Sequence, residues 1–286
     1  MPGPAFRPAP VPPERYSREL LLAFTGGDYA EFRRTRGAGL RPRLARSLAL
    51  ARPRPGQRLL DLGCGRGEAA FHAAARGAHV FAVDYSPDCL ALTADTLALA
   101  PPGLQARVEL LRADATALPL ADRSVDRALM LDVVEHLHAW QLERALREVR
   151  RVLRADGWLV LHTVPNRWAL QYGYPLLRLL RPSLPANPRT AYERQVHVNE
   201  QDPLGLWRLL RRCGFRPRVW LENLTVEQAA WRASFDDGSA LGADDTRRAY
   251  PFLRAPLTRR LLSLAMRTPL ALVAANDVFA LARPAP

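Results

Sequence analysis

The sequence predicts an α/β fold, a mostly parallel sheet between helices, and three observations carry that prediction. Short apolar runs ending in an acid alternate with longer runs of helical period, the pattern that βα units leave in a chain. The first apolar run opens onto three glycines at alternate positions, residues 59–70 reading LLDLGCGRGEAA. The second ends in Asp84, about twenty residues past the glycines, where an α/β sheet presents an acid to a ligand at its carboxyl edge.

Residues 14–58 precede the first strand and hold two stretches of helical period, YSRELLLAF and YAEFRRTRGAGLRPRLARSLAL. After the first strand, Gly63, Gly65 and Gly67 let the backbone turn sharply and approach a ligand closely. A helix over 69–75 follows, with Gly77 as its stop, then the strand HVFAVD over 79–84. The next strand, 108–112, runs into Asp114 and Ala115, and DRALMLD over 126–132 reads as the fourth. Residues 152–164 read as a helix end and a fifth strand separated by a turn at 155–157. Residues 197–215 read as a helix, 215–222 as the sixth strand and 276–283 as the last. Two insertions interrupt the pattern, one over 166–196 and a helical one over 225–275, the latter with an acidic stretch at 236–245.

The charge of the glycine loop selects its ligand. Asp61 stands two residues ahead of the first glycine, and Glu68 stands where a dinucleotide loop needs its last glycine. A pyrophosphate would be repelled there, whereas a cationic cofactor fits. On these residues the chain resembles the class I S-adenosylmethionine (SAM)-dependent methyltransferases, whose first motif reads D-x-G-x-G-x-G. The resemblance runs through residues 40–165 and more weakly beyond. It implies a Rossmann-like sandwich with a seven-stranded, mostly parallel sheet, an antiparallel final strand, helices on both faces and helical cap insertions. It also implies SAM as cofactor, held by Asp61, Gly63, Cys64, Gly65 and Gly67, with Asp84 on the ribose diol and Tyr85 beside it. Asp114 and Ala115 would meet the adenine, and Leu131 would complete the set. The expected organisation is a disordered tail over 1–13 and one domain over 14–286. That domain comprises a helical cap (14–58), a SAM-binding core (59–165), a substrate cap (166–196) and the rest of the core (197–286). Arg36 and Tyr29, in the N-terminal cap, could reach the methionine carboxylate or the substrate, or belong to a solvated helix face.

Composition narrows the partners. The 286 residues carry a formal charge of +13, but the sequence contains no lysine and no isoleucine, the mark of a GC-rich genome. Codon bias thus accounts for much of the arginine, and nucleic acid is not an expected partner; anions, including membrane headgroups, are still attracted. The 3 cysteines show no metal-binding spacing and suit a reducing cytoplasm. Residues 1–13 are proline-rich, without the apolar core of a leader. The run over 256–275 is too short between its arginines to span a bilayer, which takes about 20 apolar residues. With residues 174–184 it suits peripheral contact at the inner face of a membrane.

Methyl transfer is an in-line displacement, and an oxygen acceptor must also lose its proton. The candidates are Asp132, Glu135 and His136, directly after the fourth strand, with His138 close behind and His197 further on. Offsets of three and four residues would bring Asp132, Glu135 and His136 together at a helix start. This D-x-x-E-H resembles the metal-holding E-x-x-E-H of some quinone-biosynthesis O-methyltransferases and small-RNA 2′-O-methyltransferases. Asp132 is one methylene shorter than the Glu it replaces, so no metal is expected, and His136, His197 and Asp132 are the expected catalytic group. His72, His79 and His162 fall within the cofactor-domain elements and read as structural. The segment LDVVEHL lacks the proline and aromatic that grip a flipped base, which disfavours base N-methylation. The expected function is methyl transfer to a small-molecule or lipid-like acceptor at oxygen. The alternatives are an RNA 2′-O-methyltransferase and a SAM-binding regulatory protein without turnover.

Overall fold

The computed structural model describes residues 7–224, 227–228 and 256–286. Seven strands form one sheet: β1 (Arg58–Leu62), β2 (His79–Asp84), β3 (Val108–Arg112), β4 (Val125–Leu131), β5 (Leu153–Thr163), β6 (Phe215–Glu222) and β7 (Asp277–Pro284), in the order β3-β2-β1-β4-β5-β7-β6. β1 through β5 pair in parallel, and β7 runs antiparallel between β5 and β6. The sheet is the expected Rossmann-like one, including the antiparallel final strand. Its order reverses at β1, which has β2 on one side and β4 on the other, so the ligand crevice opens beyond the carboxyl ends of these strands.

The central strands are buried on both faces, which explains why they read as continuous apolar runs. On one face Leu60, Leu62, Ala128 and Met130 join a cluster with Leu142, Ala145, Leu146 and Val149 of the helix Ala139–Val152. Those four fall at helical spacing, one apolar stripe against the sheet. On the other face Leu59, Val80, Ala82 and Leu129 pack with Leu44 and Leu48 of Pro42–Ala51 and with Ala70, Ala73 and Ala74 of Glu68–Ala75. The small residues of this last helix let it lie close to the sheet.

Several local expectations are corrected. The helix expected over 197–215 begins at Pro203, because the Asp202 side chain caps it by accepting from the Gly205 amide. Residues 197–202 are left free to return to the sheet, and the amides of Val198 and Asn199 both donate to the Glu135 carbonyl. β5 starts earlier than expected, at Leu153 paired with Val125, and its pairing with β4 resumes at Trp158 opposite Arg127, so the turn expected over 155–157 falls in a register shift within the strand. The segment after β4 is no helix start: Val134–His136 is a single 3-10 turn, and the helix begins at Ala139. The chain from Arg7 to Pro13 differs from the disordered tail expected there, because the Trp140 indole donates to the Pro8 carbonyl and Val11 is buried. Residues 1–6 and the acidic stretch 236–245 lie outside the described residues.

Candidate functional site

β1 delivers Asp61 and the glycine loop to the crevice. Gly63, Gly65 and Gly67 all take positive φ (73°, 54° and 77°), the left-handed region that side chains disfavour. A Cβ on Gly63 would stand 2.3 Å from Val133, and one on Gly67 would stand 2.6 Å from Thr93, whereas at Gly65 the space is open. At the end of β2, Asp84 accepts from the Gly65 amide through Oδ2 (3.0 Å) and from the Ser86 amide through Oδ1 (3.0 Å). Each oxygen retains acceptor capacity. Cys64 is buried with its sulfur 3.4 Å from the Thr93 hydroxyl, and the Tyr85 hydroxyl donates to the Val11 carbonyl. Asp114 is exposed past β3 and accepts from the Thr116 amide (2.7 Å), with Ala115 beside it, and Leu131 is buried at the end of β4.

Asp61 is the least settled group here. Its side chain is buried, Oδ2 has no hydrogen-bond partner, and burial together with the charge of Asp84 pushes its pKa up to about 7. A cation placed before Asp61 and Asp84 would relieve both the desolvation and the repulsion. Glu68 is different: it is buried and paired with Arg66 (2.8 Å) and Arg41 (3.1 Å), which hold its pKa below the usual range against burial. Its charge is spent inside the protein, so the ligand selection argued for both acids rests on Asp61. Tyr29 is likewise turned inward, donating to the Leu92 carbonyl, and Arg36 is exposed after the helix Arg18–Arg34.

Beyond β4 the acids separate. Asp132 has φ 56°, and this left-handed turn aims its carboxylate at His162 Nδ1 (2.5 Å) and Arg43 Nε (2.9 Å). His162 reaches Asp277 with its other nitrogen (3.0 Å). Against the cost of burial, the two aspartates push His162 up to about 9, while Arg43 and His162 hold Asp132 far below its ordinary value. Glu135 faces elsewhere and accepts from the Thr163 hydroxyl (2.7 Å); burial and the Asp132 charge raise its pKa to about 8.

His136 and His197 stand edge to face, ring centroids 4.9 Å apart. Burial lowers His136 to about 3 and His197 to about 4, so both are neutral near pH 7. His136 Nδ1 lies 3.2 Å from the Tyr16 hydroxyl and the ring is also hydrogen-bonded to the Val196 backbone, while Nδ1 of His197 is buried without a partner. The donor atoms of Glu135, His136 and His197 come within 4.8 Å of one another, a grouping that leaves Asp132 out. Tyr16 belongs to a strap that crosses the crevice: its carbonyl accepts from Ser86 Oγ, and the Arg15 carbonyl accepts from the Tyr192 hydroxyl. A surface depression of about 630 Å³ lined by Gly56, Arg58 and His79 lies at the opposite, amino end of the strands and touches none of these groups.

A methyltransferase-domain family model matches residues 60–161. Demethylmenaquinone methyltransferase of Clavibacter sepedonicus is 34% identical over 201 residues, 64% of this chain and 75% of that protein. The chain belongs to the SAM-dependent methyltransferases. A "probable S-adenosylmethionine-dependent methyltransferase" of Mycobacterium tuberculosis (strain ATCC 25618 / H37Rv) is 38% identical over 109 residues, 38% of this chain; the match spans only 36% of that protein's length. Phosphoethanolamine N-methyltransferase 2 of Haemonchus contortus, solved with SAM, shares the fold at a TM-score of 0.62 and 19% identity, over 95% of this chain and 58% of that one.

The cofactor of the family is a sulfonium with an α-ammonium, and the residues present fit it. The buried, unpartnered Asp61 Oδ2 is where a methyltransferase of this charge pattern could receive the cationic end, and Asp84 could take the ribose diol. Of the expected acceptor-side residues, the structure brings His136 and His197 together and holds Asp132 on His162. Sequence reasoning missed Tyr16 and Arg43, and it read His162 as structural without finding its two aspartate partners. For His162 the signal was present, an ionisable residue in an apolar strand with Asp277 at the start of another.

Proposed function

We propose that this methyltransferase transfers the methyl group of SAM to a hydroxyl oxygen of a small-molecule or lipid-like acceptor. SAM, when bound, supplies an electrophilic methyl on a cationic sulfur. Asp61 faces the ammonium, Asp84 accepts from the ribose hydroxyls, Asp114 and Ala115 meet the adenine, and Gly63, Cys64, Gly65, Gly67, Tyr85 and Leu131 shape the walls. His197 takes the acceptor proton on Nδ1. His136 packs against it, fixed by Tyr16 and the Val196 backbone, and Asp132 is a positioning residue whose charge acts from its seat on His162. The observation that carries this reading is the neutral, half-buried His197 with an unpartnered ring nitrogen beside the carboxyl ends of β4 and β5. A base at this place serves a hydroxyl, whereas a basic amine acceptor needs to shed its proton before it arrives. The name of the Clavibacter sepedonicus relative, a demethylmenaquinone methyltransferase, supports a small apolar acceptor.

Incubating the protein with methyl-labelled SAM and a cell extract, then separating lipid, small-molecule, RNA and protein pools, tests the proposal. Label is expected in the lipid or small-molecule pool, in an ether methyl. Label in RNA would replace this reading with the 2′-O-methyltransferase one, and SAM binding without label in any pool would favour a regulatory role.

A further inference from the structure

We propose that the helical cap docks on an anionic lipid surface. The two insertions meet in space: the turn Ala169–Gly173 lies so close to Ala271–Ala274 that a Cβ on Gly173 would stand 2.0 Å from the Val273 carbonyl, and Asn166 donates to the carbonyls of Leu272 and Ala275. From this junction extend the helices Tyr174–Leu180 and Pro256–Ala265.

Each helix carries three of its four leucines outward. Leu176, Leu179 and Leu180 fall at i, i+3 and i+4, and their exposures are 54%, 77% and 74%. Leu257, Leu261 and Leu264 fall at i, i+4 and i+7, and theirs are 68%, 58% and 61%. An amphipathic helix of a globular protein turns such a stripe to the core. Here the stripes face away from it, while most of the other described large apolar residues are covered. Burying leucines is favourable, so two outward stripes represent a large unused driving force.

Charge selects the occupant. Residues 167–192 and 246–275 contain no Asp and no Glu in a chain that has 28 of them. Arg260 flanks the second stripe on the same helix face, Arg181 and Arg267 follow the ends of the two helices, and all three are exposed. Among the described residues no carboxylate pairs with Arg260 or Arg267. Leucines rimmed by arginines, with no acid in either helix, suit a headgroup region that is apolar beneath and negative above. No helix among the described residues is long and apolar enough to cross a membrane, so the contact is peripheral. In the chain, the segment bearing the first stripe leads to His197. The docking surface stands on these observations whatever the acceptor is.

The full-length protein is to be sedimented with vesicles of phosphatidylcholine alone and of phosphatidylcholine with phosphatidylglycerol, at low and high salt. Binding is expected to the anionic vesicles, weakened by salt. Arg260→Gln with Arg267→Gln should lower the partition coefficient about fivefold per arginine, equivalent to ~1 kcal/mol each. Leu179→Asp with Leu261→Asp should abolish binding, with SAM affinity measured by calorimetry unchanged to show that the fold is intact. Wild-type protein left in the supernatant with both vesicle types at low salt overturns the proposal. So does vesicle binding that survives the leucine variant, or a wild-type dimer in light scattering that the leucine variant converts to monomer without any wild-type vesicle binding. Methyl transfer in the extract is read without vesicles, so failure of docking and failure of the proposed reaction are seen separately.

Discussion

The Tyr16 hydroxyl stands 3.2 Å from Nδ1 of His136, and through it the N-terminal strap is joined to the residues it covers. His136 in turn supports the ring of His197. Tyr16→Phe removes one buried hydrogen bond, worth about 1 kcal/mol, and leaves His136 Nδ1 unsatisfied. Turnover per active site is expected to fall about tenfold while the dissociation constant for SAM moves less than twofold. Equal kcat in the variant would show that the strap only covers the crevice.

Asp61 makes SAM affinity depend on pH. Its pKa of about 7 in the free protein means that part of the population carries a proton there near neutrality, and a cation binds the deprotonated form. Affinity should rise with pH up to about 7 and level off above it, with proton release near pH 6.5 visible by calorimetry in buffers of different ionisation enthalpy. Asp61→Asn is expected to bind more weakly and to lose the slope. Asp84→Ala should weaken binding by about 1.5–3 kcal/mol, the range for charge-assisted hydrogen bonds. A flat pH profile in the wild type would remove Asp61 from the cationic end.

The network Asp132–His162–Asp277 ties the ends of β4 and β5 to the start of β7 and should be read as stability. His162 is raised to about 9, so its contribution is complete below its unfolded value near 6.5 and is lost as pH rises through 9. Asp132 is lowered, so its contribution is present above about 4 and is lost in acid. Stability should peak between about pH 4 and 6.5 as far as these groups decide it. His162→Ala takes the cationic partner from buried Asp277 and leaves Asp132 with Arg43 alone, and is expected to cost about 3–5 kcal/mol in denaturant unfolding. A variant as stable as the wild type at pH 6 would contradict the network.

The glycine loop and the acid that ends β2 were legible because they depend on short-range facts. The glycines mark left-handed backbone, an acid ends β2, and both follow from local sequence. The arrangement after β4 depends on one backbone angle. The spacing of Asp132, Glu135 and His136 is that of a helix face, but Asp132 adopts φ 56° and a 3-10 turn follows, so Asp132 and Glu135 diverge to His162 and Thr163. Nothing in the heptapeptide LDVVEHL announces that turn. Glu68 misled for another reason: the arginines that neutralise it come from the loop itself and from Arg41, 27 positions earlier, and such pairing is invisible without the packed structure.

Turnover is expected to survive chelators, and the reason lies in what the candidate ligands already hold. Glu135, His136 and His197 bring donor atoms within 4.8 Å, the start of a metal site. Asp132, the fourth member of the D-x-x-E-H pattern, has both oxygens committed, one to His162 and one to Arg43. Glu135 is raised to about 8, so near neutrality it is largely protonated, a poor ligand until it gives up that proton, and His136 is engaged by Tyr16 and the Val196 backbone. A divalent cation would have to break these bonds and pay their desolvation before gaining its own. His197→Ala should therefore lower turnover by about 10²–10⁴, the range for removal of a proton-transfer group, and added zinc or manganese should not restore it. EDTA treatment followed by assay decides the matter: activity abolished by the chelator and recovered with magnesium or manganese would mean that Glu135, His136 and His197 hold a metal and that His197 is a ligand, not a base.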